Sequence, residues 1–270
     1  MQLTENVFVE TGFRGANVSY IITEEGIVMI DSPYKPTDAV KWRSEIESKG
    51  SVSYLINTES HADHYTGNSF FSVPVISSGK TREEILARNT AQLLEMIGRV
   101  DPDGVSLMDG YQVNAPSITF SGRMTLYEGG HSFRLMHLPG HTVGQSAVFV
   151  PEEKVVFTGD NVCGNAQSFF HEADPFSWLE SLKRINELGV DHVVSGHGEV
   201  VGKNFITEQA DYVQECIDTV KKGIDRGMTK DEAVANLSLP SRYPLEKGQE
   251  NAAEFLFRGS IANLYDVLSR

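Results

Sequence analysis

The first third of the chain alternates short apolar runs with turn residues. These runs are rich in β-branched side chains, and glycines and the Glu24-Glu25-Gly26 turn separate them, which predicts strands joined by hairpins. A helical pattern from Thr37 to Lys49 follows, and Gly50 ends it. The predicted strands are residues 7–10, 18–23, 27–30 and 53–56.

The middle of the chain repeats this order. Apolar residues at helical spacing predict one helix over 81–97. The stretch 98–116, with its glycines and prolines, predicts an irregular loop, either over a site or on the plain surface. Strands then resume, with an amphipathic helix over 177–188 before the last of them. The predicted strands are 117–120, 124–127, 133–138, 146–149, 155–158 and 190–195.

The remaining residues have a helical pattern throughout. One helix is predicted over 206–226, and a capping box formed by Thr229 and Glu232 opens a second. A third covers 252–268. We therefore expect a core of residues 1–203 and a helical C-terminal extension, residues 204–270, packed on the same domain. The extension either completes the core, covers a site, binds substrate or forms a dimer contact.

Length and composition fit this picture. The chain has 270 residues and is 40% hydrophobic, enough for one large domain with a real core. Alternating strands and helices define the class as α/β or α+β. The two cysteines, Cys163 and Cys216, form no Cys-x-x-Cys pair and suggest no disulfide framework.

The charge excludes some functions. The formal net charge is -14, and the 23 Lys and Arg residues form no basic stripe, so we expect no nucleic-acid partner. No apolar run reaches the ~18 residues of a membrane span, and the N-terminus has no apolar leader region, so we expect no membrane association and a cytoplasmic location. A nucleotide cofactor is not indicated either, because the sequence has no glycine-rich nucleotide motif.

Coordinating side chains crowd directly after the strand that ends at Ile56. Glu59, His61 and Asp63 occupy alternate positions of Asn57-Thr58-Glu59-Ser60-His61-Ala62-Asp63-His64. Residues at i, i+2 and i+4 of an extended segment point to one side, and the neighbouring His64 turns away toward a second position. This arrangement suits a site that holds two metal ions.

Three later segments have the same design, with a coordinating residue beside glycine at a strand end. They are Pro139-Gly140-His141-Thr142, Thr158-Gly159-Asp160 and Ser195-Gly196-His197-Gly198. Glycine lets the backbone turn tightly at these points. Four such motifs in order are unlike a chance cluster, because each follows an apolar strand.

Together the four motifs resemble the metallo-β-lactamase superfamily, whose signature is His-x-His-x-Asp-His. The resemblance spans about residues 6–200, and Glu59 stands where the family has its first histidine. It implies a four-layer αββα sandwich with the C-terminal helices added.

The resemblance also implies a ligand set. Glu59, His61 and His141 would hold a first ion, and Asp63, His64 and His197 would hold a second. Asp160 would bridge both ions, a hydroxide between them would be the nucleophile, and Asp63 would orient that hydroxide as the catalytic residue. Asp31, which follows the strand 27–30, would support the site from behind the ligands.

The implied function is hydrolysis of a small-molecule ester, lactone, thioester or amide with two divalent metal ions. Zinc is the favoured metal, and Glu59 raises iron or manganese as alternatives, because a carboxylate suits harder ions. Glu59 has three interpretations. It is a working ligand that changes the charge and metal preference of the site, or it leaves the first site without an ion. In the third, the site is catalytically inactive and kept only for binding. The alternative functions are a diiron oxygen-handling protein and a non-catalytic ligand-binding member.

Some residues are weaker candidates. Arg14, Tyr65 and His171 could contact the substrate, and Phe169, Phe170 and Phe176 suggest an apolar wall. The small-molecule substrate is the expected partner, and a homodimer is one further assembly that the C-terminal helices allow. His131, His137 and His192 are interpreted as structural, Cys163 as small apolar filler, and Trp42 and Trp178 as core.

Overall fold

The structure is a computed structural model that describes residues 1–246 and 248–270. In chain order the strands are β1 Val7–Glu10, β2 Val18–Ile22, β3 Ile27–Ile30, β4 Val52–Ile56, β5 Val75–Ser78, β6 Ile118–Phe120, β7 Arg123–Glu128, β8 His131–His137, β9 Ser146–Val150, β10 Val155–Phe157, β11 Cys163–Gly164, β12 His192–Val194 and β13 His197–Gly198. The α-helices are α1 Pro36–Glu47, α2 Ala62–Tyr65, α3 Gly79–Ala87, α4 Thr90–Val100, α5 Pro175–Asn186, α6 Phe205–Asp225, α7 Lys230–Asn236 and α8 Glu250–Leu268.

The longer strands form two sheets. The first has the order β1-β2-β3-β4-β5-β6, antiparallel through β3 and parallel from there on. The second has the order β12-β10-β9-β8-β7, in which only β10 and β12 run parallel. A short parallel pair, β11 and β13, lies beside them and brings Cys163 opposite His197.

Buried side chains between the sheets make the inner layer of the fold. Residues of the first sheet such as Ile30 and Ile56 share one apolar cluster with Phe133, Val148 and Phe157 of the second. Since β3 is apolar along its whole length and covered on both faces, it reads as a continuous hydrophobic run rather than an alternating one.

Helices cover the outer face of each sheet. Trp42 and Ile46 of α1 pack on the first sheet. Trp178 and Leu182 of α5 pack on the second, together with apolar residues of α6 and α8. The αββα sandwich is therefore confirmed, and both tryptophans lie in the core as predicted.

The C-terminal helices share this outer cluster. Tyr212 and Val213 of α6 and Leu264 of α8 are buried in the same cluster as Phe170 and Trp178. The capping box at Thr229 is present, with both reciprocal hydrogen bonds to Glu232. The division of the chain near residue 203 stays a prediction.

The single helix predicted over 81–97 is wrong, because the chain leaves the helical conformation at Arg88. Arg88 has an extended backbone, with ψ of 142°. Asn89 then starts α4: its side-chain oxygen accepts from the backbone N–H groups of Ala91, at 2.9 Å, and Gln92, at 3.2 Å. Asparagine is among the best N-cap residues, so the break has a local cause.

The stretch 98–116 is more regular than predicted. Helix α4 continues to Val100, and a 3-10 helix covers Pro102–Met108. Asp101 ties the stretch to α1, because its carboxylate accepts from the backbone N–H of Thr37, at 3.0 Å, and from the Thr37 hydroxyl. Strand β5 was missed because its apolar part is only Val75 and Ile76.

Within the described residues, no helix combines the length and the apolar character that a bilayer crossing requires.

Candidate metal centre

The four motif segments meet at one end of the sandwich. His64 lies on the one-turn helix that follows β4, Asp160 on the 3-10 turn that follows β10, and His197 just after β12. His141 comes from the loop between β8 and β9. Because each residue lies in a segment that follows a strand of the two packed sheets, the sheets hold all four at the same edge.

Glycine is required where these segments touch. A Cβ at position 196 would lie 2.0 Å from Asp160 Oδ1, so only glycine lets the two segments approach this closely. Gly159 has φ of 49°, in the left-handed region, which turns the chain directly before Asp160. The sequence prediction of tight glycine turns at the strand ends is confirmed at these positions.

The coordinating side chains form two groups. Ligand atoms of Glu59, His61, His141 and Asp160 lie within 4.8 Å of one another, and so do those of Asp63, His64 and His197. Asp160 lies between the groups, since its carboxylate is 3.2 Å from His64 Nε2, 3.3 Å from His197 Nε2 and 3.5 Å from His141 Nε2. The structure brings together every residue that the sequence analysis predicted as a ligand.

Glu59 is completely buried and points into the centre. Its Oε2 lies 2.8 Å from His61 Nδ1 and its Oε1 lies 3.7 Å from His64 Nε2, yet neither oxygen accepts a hydrogen bond. His64 Nε2 and Asp160 Oδ1 are also buried without a hydrogen-bond partner. Burying such groups without a hydrogen bond is costly even beside charged histidines, and coordination of a cation removes that cost. These residues therefore fit divalent metal ions.

Three of the four histidines carry a carboxylate on the nitrogen that faces away from the centre. Asp31 Oδ2 lies 2.9 Å from His64 Nδ1, and Glu246 Oε2 lies 2.7 Å from His197 Nδ1. Glu172 Oε2 lies 3.3 Å from His61 Nε2. We call Asp31, Glu172 and Glu246 the outer carboxylates. Such partners fix which ring nitrogen carries the proton and orient the ring.

Asp31 lies where the sequence analysis placed it, behind the ligands. It has φ of 56°, which few residues other than glycine adopt, although aspartate does so more readily than most. Its carboxylate accepts from the Thr58 backbone N–H at 2.8 Å and from the Thr58 hydroxyl at 2.6 Å, and it contacts His64. These bonds compensate the strain and link β3 to the ligand segment.

Glu172 is held by a second partner at the rim of the centre. The guanidinium of Arg88 donates to both of its oxygens, at 3.3 and 3.1 Å. Hydrogen bonding from His61 and Arg88 outweighs partial burial and holds the pKa of Glu172 below its usual value. The helix break at Arg88 thus places a cation beside the carboxylate that contacts His61.

The electrostatics of the centre favour positive charge. Burial lowers the pKa of His61, but the Glu59 and Glu172 carboxylates outweigh it and raise that pKa to about 10. The same balance of burial against nearby carboxylates raises the pKa values of His64 and His197, whereas burial lowers that of His141. The carboxylates of Asp63 and Asp160 have lowered pKa values despite their burial, because histidines surround them.

A cavity of about 430 Å³ opens above the centre. Asp63, Asp160 and the histidines 61, 141 and 197 lie at its base, and Arg88, Gln167 and Gln249 give polar walls. Its apolar walls are Leu93, Met96, Phe169 and Leu256. A small molecule with both polar and apolar parts would fit this space.

The weaker candidates for substrate contact line two different cavities. Tyr65 and His171 line this cavity, whereas Arg14 lines a neighbouring cavity of about 260 Å³ and donates to the Gly248 carbonyl at 3.0 Å. Of the three predicted wall residues only Phe169 is a wall: Phe170 is in the core and Phe176 is 53% exposed. Residues 98–116, all in the described part of the chain, do not line the larger cavity, but Arg99 and Val100 line the smaller one beside Asp63 and His197, so a segment over the site stays a prediction.

The remaining candidates agree with their structural interpretation. Cys163 is buried beside the cavity, and burial raises the pKa of its thiol, so a thiolate ligand is disfavoured. His131 contacts Glu153 at 2.8 Å and His137 contacts the Val143 carbonyl at 2.8 Å, both away from the centre. His192 is the first residue of β12.

Comparison with known proteins identifies the family. A sequence model of the metallo-beta-lactamase superfamily matches residues 11–197, more than half of the chain. The chain belongs to the metallo-beta-lactamase superfamily. This superfamily is of the hydrolase type. The cluster around Asp160 is the candidate metal-binding site of the chain.

Curated relatives in the superfamily are distant. Metallo-beta-lactamase type 2 of Elizabethkingia meningoseptica is 24% identical over 231 residues, which cover 79% of this chain and 84% of that protein. The Beta-lactamase-like protein 2 homolog of Caenorhabditis elegans is 24% identical over 160 residues, or 59% of this chain. The matched region spans 46% of the length of that relative, and 54% of Lactamase-like protein nscB of Trichophyton rubrum.

Solved structures of the superfamily show the same fold. A metallo-beta-lactamase from Pontibacter korlensis has a TM-score of 0.63 at 20% identity and covers 79% of this chain and 97% of its own. The stereoselective inverting sec-alkylsulfatase Pisa1 from Pseudomonas sp. has a TM-score of 0.71 at 16% identity and covers 98% of this chain and 49% of its own. At such identities the likeness shows the fold alone.

Sequence reasoning missed the parts of the candidate metal centre that lie outside the motifs. Glu172, Glu246 and Arg88 contact ligands or their partners, and Gln249 lines the cavity. Glu172 directly follows His171, which was singled out, so its signal was partly available. Glu246 has no local signal, because only folding of the C-terminal extension brings it to His197.

Proposed function

We propose that this protein is a dinuclear-metal-dependent hydrolase that opens an ester, lactone, thioester or amide of a small molecule. The observation that carries the proposal is the pair of ligand groups around Asp160, with buried atoms of Glu59, His64 and Asp160 that make no hydrogen bond, below an accessible cavity. Membership of a hydrolase superfamily supports the reaction type. It leaves the substrate open, because function depends on the site rather than the fold.

The ligand assignment follows the two groups. Glu59, His61 and His141 would hold one ion, and Asp160 would bridge it to the other, which Asp63, His64 and His197 would hold. Two divalent ions supply Lewis acidity toward a carbonyl oxygen and lower the pKa of water at the site. Zinc is the favoured metal because each ion would have two imidazole ligands and one carboxylate besides the shared Asp160, and zinc binds both ligand types.

Asp63 would accept the proton of the attacking water and transfer it. It lies at the base of the cavity with its side chain 24% exposed, and its Oδ2 is 3.2 Å from His197 Nε2. Because its pKa is low, the carboxylate is ionised at neutral pH and can accept a hydrogen bond from water. It could then pass the proton to the leaving group, as a positioned general base and acid does.

The cavity walls would exclude water and orient the substrate. Tyr65 and Tyr34 both line the space, and burial, the main cause, raises the pKa of Tyr34 to about 12, so its phenol stays neutral and can donate. Burial and the neighbouring histidines lower the pKa of His171 to about 4, so its imidazole is neutral at pH 7. Substrate contact by Tyr65 and His171 is part of this proposal.

The position of Glu59 supports a working ligand over an emptied site. A carboxylate binds zinc, iron or manganese, and an outward-facing side chain would be expected if the residue had lost that role. Here the side chain is fully buried and faces His61 and His64. Its added negative charge would lower the Lewis acidity of the first ion and shift the preference toward harder metals.

The same carboxylate favours one second candidate, a diiron protein that handles oxygen. Iron content and colour of protein purified without added metal separate the two. Stoichiometric zinc with full activity would rule out the oxidative candidate. Ligand binding without turnover in protein loaded with either metal would instead favour a non-catalytic member.

A screen of esters, lactones, thioesters and amides tests the hydrolase directly. Protein loaded with zinc or with manganese should hydrolyse at least one class. Asp63→Asn should lower the rate on that substrate by about 10²- to 10⁴-fold, because the group that accepts the proton is lost. Asp109→Asn, at an exposed position, is the matched control and should leave the rate unchanged. An Asp63→Asn protein as active as the wild type would refute the role of Asp63.

A further inference from the structure

The C-terminal extension reaches the centre through a short segment before α8. We call residues 244–246 and 248–249 the C-terminal strap. The Pro244 carbonyl accepts from the Gln167 backbone N–H at 3.0 Å, and the Gly248 carbonyl accepts from Arg14 at 3.0 Å. Hydrogen bonds thus link the strap to the loop after β11 on one side and to the loop between β1 and β2 on the other.

Glu246 of the strap faces three hydrogen-bond donors. Its Oε2 lies 2.7 Å from His197 Nδ1 and accepts from Gln249 Nε2 at 3.1 Å, while its Oε1 accepts from the Gly198 backbone N–H at 3.1 Å. The Glu246 side chain is only 25% exposed and that of His197 only 10%. All three contacts are therefore largely shielded from solvent.

Only a carboxylate satisfies all three donors. A carboxamide has one acceptor oxygen and one NH₂ group that only donates. If glutamine turned its oxygen toward Gly198, its NH₂ would face the Nδ1–H of His197, and if it turned the other way, its NH₂ would face the N–H of Gly198. Either way one buried donor is left facing another donor.

The contact determines the tautomer of His197. With the Nδ1 proton held by Glu246, Nε2 is the nitrogen that faces the centre, 3.2 Å from Asp63 and 3.3 Å from Asp160, and it is the one that a metal ion would bind once its proton is displaced. A ring free to rotate or to change tautomer would present this nitrogen for only part of the time. The carboxylate also makes the ring a stronger electron donor.

We propose that Glu246 is a positioning residue for the second ion, so that the C-terminal strap completes a centre whose ligands all lie in the preceding core. The strap lies beyond residue 197, where the match to the superfamily model ends. The inference rests on the proposed metal centre, because it assumes that His197 is a ligand.

Metal affinity of Glu246→Gln tests the proposal. Zinc binding to the full-length protein is measured by competition with a chromophoric chelator, and cobalt loading gives an absorption spectrum that reports on ligand geometry. We expect one of the two zinc equivalents to bind about 10- to 100-fold more weakly, with the cobalt bands of that site shifted or lost. Equal affinity for both equivalents, with an unchanged cobalt spectrum, would overturn the proposal.

Two further variants make the result specific. Glu254→Gln removes the same charge from an exposed position of α8, where Glu254 pairs with Arg258 at 2.8 Å, and should leave both affinities unchanged. His197→Ala tests the underlying centre. Loss of one zinc equivalent in His197→Ala, with both affinities unchanged in Glu246→Gln, refutes only the role of Glu246, whereas two retained equivalents in His197→Ala refute the ligand assignment itself.

The wild type gives a readout that does not depend on folding of a variant. In ¹⁵N-labelled, zinc-loaded protein, a proton on Nδ1 of His197 should be detected and should exchange slowly with solvent, because Glu246 accepts it. A proton on Nε2, or rapid exchange at Nδ1, would contradict the inference even if Glu246→Gln did not fold.

Discussion

The inner ligands and the outer carboxylates reach the centre by different routes. The inner ligands, such as His61 and Asp160, each follow directly after a buried strand, within a short motif. Two of the three outer carboxylates, Glu172 and Glu246, come from irregular segments far from the histidines they contact. Only Asp31 shares the inner design, since it follows β3.

The difference shows which parts of the centre can vary independently. The inner ligands are held by the packing of two sheets, and at Glu59 a carboxylate still faces His61 and His64, so the exchange changes the charge of the centre. Glu172 and Glu246 depend instead on the helix break at Arg88, the loop at Glu172 and the C-terminal strap. Changes in those segments would tune the affinity of each ion separately.

Removal of an inner ligand should have the largest effect. Glu59→Ala deletes a carboxylate that is 0% exposed and faces His61 and His64. Affinity for one of the two ions should fall by more than the roughly 100-fold upper range of an outer partner, measured by chelator competition. Glu59→His restores the family's residue and should keep both ions with a stronger preference for zinc. Two ions bound by Glu59→Ala as tightly as by the wild type would contradict the role of Glu59.

The same division explains what the sequence could predict. The strand-end motifs, with the resemblance they carry, predicted the inner ligands and the sandwich, because both depend on local apolar runs followed by coordinating residues. The break at Arg88 was missed because Ile85, Leu93 and Ile97 keep a helical spacing across it. Glu246 could not be predicted, because no local pattern links it to His197, 49 residues earlier in the chain.

Removal of an outer carboxylate should have a smaller effect, confined to one ion. Glu172→Gln leaves Arg88 in place but takes the carboxylate from His61 Nε2, so affinity for the first ion should fall about 10- to 100-fold. Glu83→Gln, which removes an exposed carboxylate paired with Lys80, is the matched control. Equal loss of both ions in Glu172→Gln would show that the outer partners do not act separately.

Metal loading should release protons at pH 7. The pKa of His61 is raised to about 10 and those of His64 and His197 are also raised, so these rings carry protons that metal ions must displace. Titration calorimetry in two buffers of different ionisation enthalpy gives the number released. A heat independent of the buffer would contradict the prediction.

The same shift predicts how the stability of the metal-free protein depends on pH. Because the pKa of His61 is higher in the folded than in the unfolded state, protonated His61 stabilises the folded protein, and this stabilisation is fully present below about pH 6.5. It is lost as the pH rises toward 10, so the free energy of unfolding should fall across this window. Denaturant titrations of metal-free protein at several pH values would measure it, and a rise in stability across the window would contradict the assignment.

The smallest effect is expected at the helix break. Asn89→Ala removes the side-chain cap of α4 and should lower the free energy of unfolding by about 1 kcal/mol. Asn89→Asp keeps the cap and should be nearly neutral. Metal affinity should change little in either variant, since Arg88 keeps both bonds to Glu172. A large loss of metal affinity in Asn89→Ala would mean that the position of Glu172 depends on the α4 cap.

The central claim is that Glu59 is a metal ligand in an otherwise complete centre. A crystal structure of the metal-loaded protein, with anomalous scattering recorded at the zinc, iron and manganese absorption edges, tests it most directly. We expect two anomalous peaks on either side of Asp160, one of them about 2.0–2.2 Å from a Glu59 oxygen. A filled second site with no peak near Glu59, or a Glu59 carboxylate turned away from a filled first site, would contradict it.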